Sequence, residues 1–199
     1  MDHQAFIRSR RSVRQFQDQP VERDVLQRII MTATRAPSAH NRQPWRFVVL
    51  DRPQARQKLV AAMQAAFADD LKRDGLSTQQ IQRQLLRSRR RILGSPAPVL
   101  LCMDLTDMDG YPDARRQQVE RQMAVQSVAL AGGTLLLAAH AEGLGGVWIC
   151  APLFAPQAVQ QALSLPQAWE PQALLLLGYP AEQPQERERR SLEEVVQFW

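Results

Sequence analysis

Apolar residues recur at Val25, Ile29, Ile30 and Ala33, a spacing that predicts a helix beginning after Pro20 and stopping before Pro37. A shorter helix is expected over about 2–9, ending at the basic run Arg8, Arg10, Arg11 and Arg14. Between Ala36 and Trp45 two prolines, a serine, a histidine and an asparagine make a loop, and the β-branched and aromatic run Arg46–Leu50 reads as a strand. Helical patterning occupies 53 to about 67 and 78 to about 93, parted by Asp74-Gly75, and both segments read as surface helices. Val99–Leu105 is almost continuously apolar, as a central strand must be. From about 113 to 142 a long helix begins polar and turns apolar all round between Val125 and Ala139, so it must be buried. Gly132-Gly133 within it costs about 1 kcal/mol per glycine relative to alanine, which makes sense where another backbone, such as a symmetry-related helix, comes close. Val147–Cys150 and Ala173–Leu177 read as strands, with a short helix over about 156–163 between them. Residues 182–190 are charged and extended, and the apolar end Val195, Val196, Phe198 and Trp199 is expected to pack on something. Four strands among about six helices give mixed α and β structure with the sheet order open. No repeat or linker divides the chain, so 1–199 is expected to be one domain.

With 45% hydrophobic and 23% charged residues the chain is neither disordered nor fibrous. No apolar run approaches the roughly 18 residues of a membrane span. The N-terminal MDHQAFIRSRRSVRQF has charge and amide where a signal peptide needs its apolar core, so a cytoplasmic address is the expectation. Cys102 and Cys150 lie in strand-like apolar stretches without metal-ligand spacing and read as reduced core residues. Against 20 acidic residues stand 25 basic ones, nearly all arginine, and the formal charge of +5 favours an anionic partner.

The sequence has no Walker loop, His-Glu-x-x-His, Gly-x-Ser-x-Gly or post-strand Gly-x-Gly-x-x-Gly, and His3, His40 and His140 are too scattered to suggest a metal site. An enzyme with this sequence would leave the hard chemistry to a cofactor. Arg10, Arg11 and Arg14 with Ser12 between them make a plausible phosphate cradle, because guanidinium forks bind phosphate bidentately and the hydroxyl adds a neutral donor. Arg187, Arg189 and Arg190 could close over the same anion. On the helix over 78–93, Arg83, Arg87 and either Arg90 or Arg91 share a face that suits a polyanionic substrate tail or the extra phosphate of NADPH. Taken alone, each run reads first as a solvated surface. Nucleic acid ranks low as a partner, since aromatic residues are only 6% of the chain and none interleaves with these arginines.

Four segments in order, RRSVRQF (Arg10–Phe16), APSAHNRQPWRFVVL (Ala36–Leu50), GLGGVWI (Gly143–Ile149) and LGYPAEQPQERERRSLEEVV (Leu177–Val196), resemble the motif series of the nitroreductase family of FMN-dependent oxidoreductases. The resemblance runs from end to end. It implies an α+β fold, with a central, mostly antiparallel sheet flanked by helices, in an intertwined homodimer holding two FMN sites at its interface. The helix Val125–Ala139 would form the dimer core and the apolar tail would reach across to the partner subunit. By the same resemblance Arg10, Arg11, Ser12 and Arg14 would hold the FMN phosphate and ring edge, and Arg187 and Arg189 would complete the phosphate site. Pro37, Ser38, Ala39 and Asn41, with Gln43 behind them, would line the flavin from the other subunit, Ala39 standing where the family often has serine. Ile149, Cys150, Ala151 and Pro152 form a stretch that would place backbone N–H groups near the hydride-accepting nitrogen. The middle of the chain, from Met63 to Asp104 and again from Tyr111 to Ala129, is similar to the subgroup associated with synthesis of the deazaflavin coenzyme, whose members reduce a dehydro precursor.

The implied activity is ping-pong transfer of hydride from NAD(P)H through FMN to a small organic acceptor, an anionic one suiting the arginine helix, with Arg14 favouring the anionic reduced ring. Trp45, Trp148 and Phe154 are expected either to shape the acceptor pocket, together with Arg83 and Arg87, or to pack in the core. Two other classes stay open: a flavin-binding carrier or redox-responsive protein without turnover, and an anion or nucleic-acid binding module using the arginine helix.

Overall fold

The computed structural model describes residues 2–199. In chain order these form α1 (His3–Ser9), α2 (Arg23–Ala33), β1 (Trp45–Val49), α3 (Pro53–Arg73), α4 (Thr78–Leu93), β2 (Val99–Asp104), α5 (Ala114–Ala141), β3 (Gly145–Ile149), α6 (Pro156–Leu163), β4 (Trp169–Gly178) and α7 (Leu192–Val195). The four strands make one sheet of order β1-β2-β4-β3, every neighbouring pair antiparallel. Alternation along β2 sets the layers, because successive side chains leave opposite faces of a strand. Val99 packs with α2 and α5, joining Ile29, Leu135 and Ala139, while Leu101 and Met103 meet the middle of α5 at Ala124, Val128 and Ala131. Leu100 and Cys102 turn the other way, onto Leu59 and Val60 of α3 and Val159 of α6. Both faces are covered, which is why β2 is apolar from Val99 to Met103. The result is the α+β architecture expected, helices flanking an antiparallel sheet.

Several expectations change. α3 continues six residues beyond Phe67 and stops only where Gly75 takes a left-handed φ of 77°. β4 starts at Trp169, four residues before Ala173, and accommodates Pro171 at a bulge where the register with β2 shifts between Leu101 and Cys102. Gly132 is needed by its own chain: a Cβ there would run into the Trp148 indole and stand 2.8 Å from Leu101, so side chains and not a second helix crowd it. Gly133, by contrast, faces open space. α5 is buried along one face only, with Val125 37% and Leu130 51% exposed on the other. This helix also corrects the reading of membrane-span length, since it contains an 18-residue window of mean hydropathy 1.4, of which 44% is buried against the fold. Cys150 is exposed one residue past β3, whereas Cys102 is buried, and burial pushes its thiol pKa up to about 12. The tail lies uncovered, with Leu192, Val195, Phe198 and Trp199 exposed.

Candidate functional site

The segment after α1 is drawn onto β3. Ser12 bridges Gly146 in parallel, and the Val13 N–H donates to the Gly146 carbonyl at 3.1 Å. Contact this close requires glycine at 145, where a Cβ would fall 2.5 Å from Val13 Cγ2. Arg10 and Arg11 are thereby held at a cavity of about 470 Å³ whose floor is Gly143–Gly146 and whose wall includes His140. Arg10 lies below the ordinary guanidinium pKa, first because it is partly buried and then because Arg189 and Arg11 bring positive charge beside it. His140 Nε2 lies 2.8 Å from Ser9 Oγ, its ring stacks on Phe6, and burial together with Arg10 and Arg11 lowers its pKa. The only carboxylate paired with this cluster among the described residues is Glu186, 2.9 Å from Arg11. Glu182 also lines the cavity without pairing with these arginines, and converging guanidiniums over a glycine floor fit a phosphate, which brings up to two negative charges and several acceptor oxygens. Arg187 is exposed beside this group, its carbonyl accepting a hydrogen bond from Arg189.

At the far end of β3, Ile149, Cys150 and Ala151 border a second cavity of about 580 Å³ roofed by α3 and α4. Phe154 and Arg87 line it, as does Arg91, whose pKa is lowered by burial, by Arg87 and by Arg14. Pro152 is buried and does not line it. Trp148 lies against Gly132 and donates its indole N–H to Cys150 Sγ at 3.2 Å. Trp45 is core, packed with Ala36 and Met103, and lines neither cavity; Arg83 is exposed and lines neither as well.

The remaining group, Pro37, Ser38, Ala39, Asn41 and Gln43, also borders neither cavity. It sits over the N-terminal half of α5, where Ser127 Oγ accepts the Ala39 N–H at 3.1 Å and donates to the Met123 carbonyl at 2.8 Å. From Ser127 to Leu136 and His140, which line the first cavity, α5 advances roughly 14 to 20 Å at about 1.5 Å per residue. His40, Asn41 and Gln43 hold φ near 50°, a strained cluster for residues with a Cβ, and Gln43 N–H is fixed to Ser38 Oγ at 3.1 Å. Ser127, His140 and Gly145 escaped sequence reasoning. Gly145 alone left a signal, in the glycine run ahead of a strand.

A sequence model of the nitroreductase family matches residues 7–179. Among curated proteins the chain is 34% identical over 187 residues to 5,6-dimethylbenzimidazole synthase of Rhodospirillum rubrum, covering 90% of this chain and 82% of that one. It is 30% identical to NADH dehydrogenase of Thermus thermophilus, covering 98% and 95%. Among solved structures, a BluB-like flavoprotein from Clostridium difficile superposes over 100% of this chain and 99% of its own with a TM-score of 0.83 at 25% identity. A nitroreductase-like protein from Bacillus cereus shares the fold, with a TM-score of 0.78 at 23% identity over 100% of this chain and 96% of its own. The family model, the curated relative and the fold therefore agree, and the chain belongs to the nitroreductase family.

Proposed function

We propose that the protein is a cytoplasmic FMN-dependent oxidoreductase that passes hydride from NAD(P)H to a small organic acceptor by ping-pong turnover. The observation that carries this reading is Arg10 and Arg11 over the Gly143–Gly146 floor with the charge of Arg189 close to Arg10, positive charge that only Glu186 pairs with among the described residues. When bound, FMN supplies the two-electron redox chemistry. Arg10, Arg11 and Arg189 hold its phosphate, Ser12 adds a hydroxyl and Arg187 adds outer positive charge. Arg14 favours negative charge at the ring edge, and the backbone from Ile149 to Pro152 borders the reacting side. No side-chain acid is assigned, because water can deliver the proton. Pro37, Ser38, Ala39, Asn41 and Gln43 complete the flavin site from a second copy, in a homodimer joined through the open face of α5; the exposure of Val125 and Leu130 supports that arrangement.

A second reading rests on the 34% identity to 5,6-dimethylbenzimidazole synthase, namely that the chain makes that product. The named relatives differ in what they act on, so the site and not the family decides. One experiment separates the readings: record the visible spectrum of the purified protein, then add NADH or NADPH without oxygen. Yellow protein that bleaches and is reoxidised by an organic acceptor supports the oxidoreductase, with the dehydro deazaflavin precursor the first acceptor to try. Mass-spectrometric appearance of 5,6-dimethylbenzimidazole in air supports the synthase. Flavin retained without bleaching or product indicates a carrier, and a colourless protein that cannot be reconstituted leaves the anion-binding module.

A further inference from the structure

The second cavity has a chemical asymmetry that cofactor binding does not use. Its inner wall is apolar, formed by Val60 and Met63 of α3 and by Ile149, with Phe67 and Phe154 toward the mouth. Its α4 side presents Arg87 and Arg91, one helical turn apart, so their guanidiniums rise side by side. Neither forms a salt bridge among the described residues, although Asp70 and Asp74 line the same cavity: Asp70 pairs instead with Arg73, and Asp74 follows the end of α3 without reaching either arginine. Partial burial and the charges of Arg87 and Arg14 disfavour the Arg91 cation, a cost that an anion in the cavity would relieve.

We infer that the acceptor is an aromatic or otherwise apolar organic acid, its anionic group held by Arg87 and Arg91 and its body lying between α3 and the end of β3. This rests on the oxidoreductase reading and names the substrate class of the same site. The volume of about 580 Å³ suits a small aromatic acid. The two apolar faces give burial while the paired guanidiniums fix orientation, which keeps the reducible end toward Ile149–Ala151. Arg83 and Arg89 on the same helix stand outside the cavity and have no part in the recognition.

The test measures equilibrium binding of 4-nitrobenzoate and its neutral isostere 4-nitrobenzamide to the FMN-saturated protein by calorimetry, with no reductant present. The carboxylate is expected to bind about tenfold tighter or more than the amide, the range of a charge-assisted hydrogen bond, with the preference shrinking as salt rises. Arg87→Gln with Arg91→Gln should abolish the preference, while Arg89→Gln, which removes the same kind of charge from the same helix, should keep it. Thermal melting of each variant confirms that it is folded. Equal affinity for the two ligands overturns the inference, and so does a preference that survives the double substitution. A double variant that loses discrimination between NADPH and NADH but still prefers the carboxylate also overturns it, by assigning the pair to the reductant's phosphate. Bleaching by NAD(P)H is read separately, so a protein that bleaches normally but binds both ligands alike refutes this inference alone, and one that never retains FMN refutes the oxidoreductase reading.

Discussion

Gly132 and Gly133 are adjacent, yet their environments predict opposite outcomes. Alanine at 132 must displace the Trp148 indole or Leu101, an overpacking that should lower stability by roughly 1–3 kcal/mol in a urea titration. Alanine at 133 meets nothing within 4 Å and should raise the stability of the isolated chain by up to about 1 kcal/mol through helix propensity. Arg14→Ala removes a charge assigned to the flavin and is expected to weaken FMN retention by roughly 1–3 kcal/mol, measured by fluorescence of released flavin; unchanged affinity would remove Arg14 from the site. The two thiols should separate cleanly. A thiol reagent such as dithionitrobenzoate is expected to label Cys150 in the folded protein and Cys102 only after unfolding, since Cys102 is fully buried and its thiol pKa lies at about 12.

α5 is fastened to β4 by the Arg121–Glu170 pair, to which Gln172 adds a bond at 3.2 Å. The Arg121 hydrogen bond outweighs burial and holds the Glu170 carboxyl below the ordinary glutamate pKa. Its stabilisation is therefore complete above the unfolded-state pKa and is lost as pH falls through the lower folded-state value. Melting temperatures of the native chain and Glu170→Gln should differ at neutral pH and converge on acidification. How far the elements were legible follows from what ends them. α4 and α6 match their expected bounds because Gly94 closes one and Pro156 opens the other. The extra turns of α3 were hidden because Ala-Asp-Asp-Leu-Lys-Arg offers a single buried apolar residue, Leu71, and the start of β4 because Pro171 argues against a strand until a bulge tolerates it. At the site, the arginine run was readable from its clustered guanidiniums with Ser12 between them. The approach of Arg189 to Arg10, and the seat of Ala39 on Ser127, come from tertiary closure and leave no local trace.

For the molecule as a whole, exposed large apolar residues are most numerous on α5, at Val119, Val125 and Leu130, and on the C-terminal tail, which is where a second copy is proposed to bind; the others are scattered at Ile7, Met31, Leu86, Leu153 and Phe154. Sedimentation at micromolar concentration should report a species of twice the 22.6 kDa chain mass, and removal of 192–199 should shift it toward the monomer. A chain that sediments as a monomer with full FMN affinity would show that the loop from Pro37 to Gln43 does not complete the site from a partner. The segment from Ser12 to Gln17 has a bearing on solubility as well. β3 is an outermost strand, and the hydrogen-bonding groups on its free side are met at Gly146 by Ser12 and Val13, while Gln15 and Gln17 tie down the chain leaving β4 at Ala181 and Tyr179. Open strand edges template aggregation. The residues that position Arg10 and Arg11 therefore also act as a selvedge, and a shortened chain beginning after Gln17 is expected to form intermolecular sheet and precipitate, where Arg10→Ala with Arg11→Ala is expected to stay soluble and lose only the proposed flavin binding.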